Sequence, residues 1–233
     1  MIGTLLNTFT VLVGGSLGLL FGARIPERSV KTVVAGLGLF TMAYGFKLFV
    51  DSQNEIITLL SLLVGGLLGE WARIEDRLAA FGAWLRERFA SSRSESEAKF
   101  VNGFLTASLL FCIGPLTVLG SIQDGLTGDY SLLAIKSVLD GFAALAFAST
   151  MGVGVLFSVI VILLYQGGLT LTAAQVQAAF TDSMIAEMSA VGGVLLIGIA
   201  LSSLLEIKPI RVGNFLPALL IAPLLVLIFA NLI

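Results

Sequence analysis

Eight continuous apolar runs, each of roughly 15 to 22 residues, occupy almost the whole chain and constrain its fold more than any other feature. They fall at 5–23, 33–50, 56–72, 101–122, 132–149, 151–165, 184–205 and 215–233. Lipid offers no water to backbone N–H and C=O groups, so runs of this length and continuity read as membrane-crossing helices. Outer-membrane barrels are excluded, because their strands alternate over about ten residues and these runs do not. With 57% hydrophobic and 12% charged residues, and a mean hydropathy of +1.03, the chain lies far from soluble domains, of which about a quarter is charged. The expected fold class is all-α: a polytopic membrane helix bundle of about eight transmembrane helices.

Charge placement gives the expected topology. Of the 13 Lys and Arg residues, 11 fall in segments 24–31, 73–99 and 208–211, and all three are best placed in the cytoplasm. The first run has no basic residue before it and Arg24, Arg28 and Lys31 after it, so it reads as an uncleaved helix rather than a signal peptide. Four crossings between Lys99 and Lys208 satisfy this arrangement and put both termini outside. A second topology has six crossings, with residues 101–140 forming a re-entrant hairpin. The single cysteine, Cys112, rules out internal disulfides, and with no histidine a zinc-type site is not expected.

Segment 74–98 divides the chain into a three-helix membrane portion at 1–73 and a second membrane portion at 99–233. Its first part places Ile74, Leu78, Phe81, Leu85 and Phe89 near one helical face, as in a helix lying at the inner membrane surface, and its second part is a polar linker. The two membrane portions begin in opposite orientations, which is the organisation of inverted-repeat transporters. A local repeat is plainer: LVGGSLG at 12–18 matches LVGGLLG at 63–69, and VGG recurs at Val191. The spacings Gly14/Gly18, Gly18/Gly22 and Gly65/Gly69 let helix backbones approach closely, and packing is the favoured reading. Such faces also make a homodimer credible.

Charge and helix-breaking residues concentrate at 112–141. Gly114 and Pro115 kink or break the fourth run, and Pro115 frees carbonyls near Phe111 for a cation. Ser121, Asp124 and Asp129 follow with small residues, and both aspartates are expected near the outer interface, solvated. Lys136 and Asp140 share a helix face, and Asp140 lies roughly 12 Å inside its span at about 1.5 Å per residue. Lys136 can snorkel outward, but Asp140 cannot reach water that way, so it is an intramembrane acid of the kind that marks ion and solute paths. Further candidates are Asn7 and Asn102 early in their runs, Gln166 where the sixth run ends, and Glu187 about one turn into the seventh, where it is expected to be wetted. Thr172 to Gln175 matches a capping box for a short extracytoplasmic helix over 173–180.

The pattern CxGPxxxxGSIxDGLxGDxxxLxxKSxLDG at 112–141, YQGxxTL at 165–171, EIKPIRVGNFLPAL at 206–219 and GTLLNTxTVxxGGxxG at 3–18 together resemble the YqgA-like family of bacterial inner-membrane proteins. The resemblance covers essentially the full chain. It implies a multi-pass protein of the bacterial cytoplasmic membrane, of a family often labelled as transporters without an established substrate. It carries no catalytic residues over.

Two functions are expected from these readings. The first is a transporter or channel for a small ion or solute, in which Asp140 and Asp124 hold a coupling cation or proton, Lys136 is the charge partner and the Gly114–Pro115 break supplies carbonyls. The second is a non-transporting scaffold or regulator acting through the amphipathic helix. No enzymatic activity, cofactor, metal or nucleic-acid partner is expected. The bilayer itself is the one certain surroundings, since the short Arg-rich helix fits topology and anionic headgroups.

Overall fold

A computed structural model describes residues 1–22, 26–89, 96–113 and 115–230. These residues are helical almost throughout, with no strand among them. The helices are α1 (Ile2–Gly22), α2 (Glu27–Val50), α3 (Glu55–Ala72), α4 (Ile74–Phe89), α5 (Glu97–Ile113), α6 (Pro115–Thr127), α7 (Ser131–Met151), α8 (Gly154–Leu171), α9 (Ala173–Ala179), α10 (Asp182–Ile199) and α11 (Ala218–Ala230). A π-helical turn (Ala200–Leu204) prolongs α10, and a 3-10 turn (Val212–Phe215) leads into α11.

Among the described residues, seven helices are long and apolar enough to cross a membrane. The eighth candidate, the run at 101–122, is the exception: α5 and α6 are bent by 60° across the break at Gly114, as in a broken span or a re-entrant loop. Pro115 opens α6, where its missing amide hydrogen costs nothing. Gly114 lies outside the described residues. Bulky apolar side chains such as Leu67, Trp71, Phe142 and Leu164 are exposed on the spans, the surface lipid would cover.

Two compact units emerge. One comprises residues 1–37, 79–112 and 116–176; the other comprises 38–78, 113–115 and 177–233. In the first unit α1 packs along α7 and against α8. The reason is written in the glycines. A Cβ on Gly14 would overlap the carbonyl oxygen of Gly141, and one on Gly18 would overlap that of Leu145, so the α1 and α7 backbones touch. The other end of α1 meets an apolar cluster of Leu85, Phe100, Phe104 and Val153, against which Leu19 packs. Gly82 and Leu85 seat α4 on this cluster; Phe81 meets Phe104 edge-on and stacks on Trp84, which in turn meets Phe89 edge-on toward the more exposed side.

In the second unit α3 packs on α11 and the 3-10 turn, and α10 on α11. The repeated glycines act here in the same way: a Cβ on Gly65 would overlap the Ala218 backbone, and one on Gly69 the Asn214 carbonyl. Gly193 likewise closes on the Gly45 carbonyl at 2.5 Å for an added Cβ. Gly14, Gly18, Gly65 and Gly69 are thus all used within the chain. Gly22 ends α1, and its surroundings lie outside the described residues.

The last span has an irregular start. Glu206 is held at φ 52°, the 3-10 turn intervenes, and α11 begins after Pro217. The short helix expected after Thr172 forms as α9, but without the expected cap. The Thr172 hydroxyl donates back to the Gly168 carbonyl (2.8 Å) and caps the end of α8, so it does not serve a capping box for the seven-residue α9.

Candidate functional site

The first unit gathers buried polar side chains from three helices at one level. On α1, Thr4 and Asn7 share a face because they are three residues apart; on α7, Lys136 and Asp140 are four apart, as are Gln166 and Thr170 on α8. Asn7 Nδ2 donates to Asp140 Oδ2 and to Gln166 Oε1, each at 3.0 Å. Gln166 Nε2 donates to Thr4 Oγ1 (3.2 Å), which lies 3.3 Å from Thr170 Oγ1. Lys136 Nζ donates to Asp140 Oδ2 and forms an ion pair with it. The result is one connected network of six side chains in which Asn7 is 0% and Gln166 1% exposed.

Not every polar atom of the network is used. Among the described residues Asn7 Oδ1 is buried without a partner, and Asp140 Oδ1 takes no hydrogen bond. The Asp140 side chain is the more open member of its ion pair, 12% exposed against 6% for Lys136. Lys136 therefore does not snorkel: its nearest anion lies one turn along the same helix, deeper in the span.

Asp124 sits near this network, not in a wetted turn. Asp124 was expected to be solvated, but α6 continues past the end of the apolar run to Thr127, and this carries Asp124 onto the helix's inner face, 4% exposed. Its Oδ2 lies 2.8 Å from the Met1 amino group and accepts from the Gly3 amide at 3.1 Å. Ser121, one turn earlier, is fully buried, and its hydroxyl has no partner among the described residues. Asp129 is solvated as expected; the Ser131 hydroxyl and amide donate to it and hold its carboxyl below the usual range. The carbonyl that Pro115 was expected to free is taken: Thr117 Oγ1 donates to Phe111 O at 3.0 Å. Asn102 is exposed on α5 and does not join the network. Gln166 does, because Gly167 and Gly168 continue α8 as helix to Leu171 and do not end it.

Glu187 belongs to the second unit and is also a correction. It is 1% exposed, not wetted. The turn between α2 and α3 wraps its carboxylate: Oε1 accepts from the Gln53 and Asn54 amides (2.7 and 2.8 Å), and Oε2 from Ser52 Oγ and Thr58 Oγ1 (2.9 and 3.1 Å). Four donors fill the roughly four lone-pair positions of a carboxylate, leaving none for a cation. The sequence held a signal for this that was missed. Thr58 precedes the first glycine of its LVGG repeat by seven residues, just as Asn7 precedes the first glycine of the other copy. Each thus hydrogen-bonds a buried carboxylate from a later helix.

At the α3–α4 corner of the same unit, Arg73 takes the left-handed conformation (φ 49°) and ends α3. Beyond it Glu75 Oε2 accepts from the Gly213 amide, while Asn214 accepts from the Glu75 amide and donates to Glu70, at 2.6 to 2.8 Å. Burial raises the Glu75 carboxyl above its usual value; the Gly213 amide and Arg211 oppose this, and Asp76 and Glu70 add to it.

Residues 2–227 match the model of a protein family described as a protein of unknown function, DUF554. The chain belongs to the DUF554 family. Among curated DUF554-like relatives, the uncharacterized membrane protein YdfK of Bacillus subtilis (strain 168) is 33% identical over 232 residues, 98% of this chain and 96% of that protein. The uncharacterized protein YqgA of Escherichia coli (strain K12) is 36% identical over 223 residues, 95% and 94% of the two chains. No solved structure matches. This DUF554 protein is therefore an all-α, membrane-type helical protein of that family, as its apolar runs and motifs led one to expect.

Proposed function

We propose that this DUF554 protein passes a small ion or solute across the bacterial cytoplasmic membrane, with Asp140 at the binding station. The observation that carries this reading is a buried carboxylate with an unused oxygen, beside a buried amide oxygen that is also unused, inside a membrane-type helix unit. Of the two, Asn7 Oδ1 is the atom left buried and unmatched, and an unsatisfied buried polar group costs about 1–3 kcal/mol, a cost that a ligand at this point would relieve. Intramembrane acids with room for another partner belong to pathways.

The neighbouring geometry favours a gated carrier over an open pore. From Asp140 onward, the α1–α7 seam is glycine-packed at Gly14/Gly141 and Gly18/Leu145, with no width for a passing ion unless helices move. Lys136 supplies the charge partner, and Asn7 and Gln166 orient the carboxylate. Asp124 meets the start of α1, with the unpartnered Ser121 hydroxyl one turn before it on α6. In this arrangement the basic segments face the cytoplasm and both termini lie outside. The reading involves no catalytic step, cofactor or nucleic acid.

Purified protein in liposomes tests it. Wild type is expected to pass an ion or solute, and Asp140→Asn to stop the flux. Because Asp140→Asn strands Lys136 without a counter-ion, the double variant Lys136→Met/Asp140→Asn is the control for folding. Unchanged flux in the folded double variant removes Asp140 from the mechanism.

A second reading rests on α4. Trp84 and Phe89 are largely exposed on it while Leu85 is anchored inside, as expected of a helix lying in a headgroup layer or docking a partner. If the protein acts as a scaffold in this way, deleting residues 74–98 abolishes its cellular effect and Asp140→Asn leaves it intact.

A further inference from the structure

The unused atoms at the candidate station have a common chemistry. Asn7 commits its Nδ2 group to two acceptors, Asp140 Oδ2 and Gln166 Oε1, and this turns Oδ1 away as an orphaned acceptor on a fully buried side chain. Asp140 commits Oδ2 to Lys136 and Asn7, leaving Oδ1. The two unused oxygens therefore belong to two side chains already joined by a 3.0 Å hydrogen bond. Both are acceptors, and the carboxylate is the more open side of the ion pair.

We infer that the Asp140–Asn7 station binds a small monovalent cation, of alkali or ammonium type, and that Lys136 is a tethered competitor for the same carboxylate. This rests on the reading of Asp140 as the station and names what it takes. The lysine ammonium is itself a monovalent cation seated on Asp140, so the site already displays the charge and size it accommodates. A divalent ion is disfavoured, because Lys136 and Asp140 sum to zero and each added charge has to be buried in a low dielectric. An anion would have to reach Lys136, the less exposed partner, past the carboxylate. A larger solute meets side chains that are almost wholly buried, Asn7, Gln166 and Lys136 among them. The ion oxygens prefer are hard cations, for which carboxylate and amide carbonyl are the usual ligands.

Thermal unfolding in detergent is the test, since it needs no transport. The probes are sodium, potassium and ammonium chlorides against N-methylglucamine chloride, at one ionic strength. Removing the tether exposes the station: Lys136→Met is expected to melt lower in N-methylglucamine and to recover by about 5 °C in at least one small cation, as ligand linkage requires. Wild type is expected to respond less, because Lys136 competes. Lys136→Met/Asp140→Asn and Lys136→Met/Asn7→Ala are expected to lose the response. Which of the three salts acts separates alkali from ammonium recognition.

No cation dependence in folded Lys136→Met, or a response that survives in Lys136→Met/Asp140→Asn, overturns the inference. If Lys136→Met is recovered folded only when extracted in one of the small cations, the inference is supported; if it is recovered in none, no cation replaces the lysine and the inference fails. The two readings fail separately. Asp140-dependent flux of an uncharged solute without a cation response keeps the transport reading and rejects this one, whereas a cation response without any flux does the reverse.

Discussion

Asp140 and Glu187 are both buried carboxylates, each contacted by the residue seven positions before an LVGG glycine pair, yet they are held in opposite ways. Asp140 has a cation, one amide donor and an unused oxygen. Glu187 has no cation among its described partners and four donors, two of them main-chain amides at the start of α3. The difference teaches which carboxylate can take part in traffic. A carboxylate whose lone pairs are all met by fixed donors gains nothing from a passing ion, and the positive end of α3 further favours its charge. A carboxylate balanced by a long, rotatable lysine has an exchangeable partner. Glu187 thus reads as the tie between α10 and the α2–α3 turn, and Asp140 as the working group.

The largest expected effect that separates them is on stability. Asp140→Asn leaves a buried ammonium without its anion and is expected to cost about 3–5 kcal/mol, while Lys136→Met/Asp140→Asn recovers most of that loss. Urea unfolding in mixed micelles, run as a double-mutant cycle, measures the coupling. Additive losses would mean that the pair is not the unit described.

Glu187→Ala is expected to cost about 3 kcal/mol by leaving its donors unmet, with no second substitution to relieve it. Ser52→Ala combined with Thr58→Val should cost less, because the two amides remain. In liposomes both variants are expected to keep flux per folded molecule, measured against the folded fraction from size exclusion. A specific loss of flux would put Glu187 on the pathway and erase the contrast.

The repeated glycines offer a smaller test. Gly14→Ala and Gly65→Ala each force an overlap with backbone and are expected to cost about 1–3 kcal/mol. Only Gly14→Ala lies on the seam beside Asp140, so only it should alter flux beyond its effect on folding. Equal effects on transport would show that the seam is no gate.

The smallest effect concerns pH. Glu75 lies outside the spans, and its folded value is raised above the usual 4.5, so the folded state holds its proton more tightly. Its contribution is fully present below about 4.5 and lost as pH rises through the raised value. Glu75→Gln should therefore flatten the stability profile of wild type between pH 4.5 and neutrality, seen as a melting-temperature difference that shrinks toward acid. A profile unchanged by the substitution removes Glu75 as its source.

How much of this was legible beforehand varies by residue. The Lys136/Asp140 pair follows from a spacing of four, because a helix returns to the same face. The close approach at Gly14, Gly18, Gly65 and Gly69 follows from the same periodicity. Asp124 was misread because a Gly- and Asp-rich stretch favours turns locally, whereas the helix it enters is stabilised by packing of Gly120 and Gly125 against Leu133 and Thr170. Glu187 was misread because depth was judged from distance along the run, and the α2–α3 turn that covers it lies more than a hundred residues away in sequence.

By itself the sequence determined that this is an all-helical, membrane-type chain of the DUF554 family, since lipid permits long apolar runs few other forms. It also determined that Lys136 and Asp140 pair within a span, since four residues return to one helix face. Tertiary structure alone decided which of the buried groups are satisfied: that Glu187 meets four donors, that Phe111 O is closed by Thr117, and that Asn7 joins Asp140 to Gln166. Hydrogen-bond satisfaction is a property of atoms within about 3 Å, and residues that far apart along the chain reach that distance only when the helices pack.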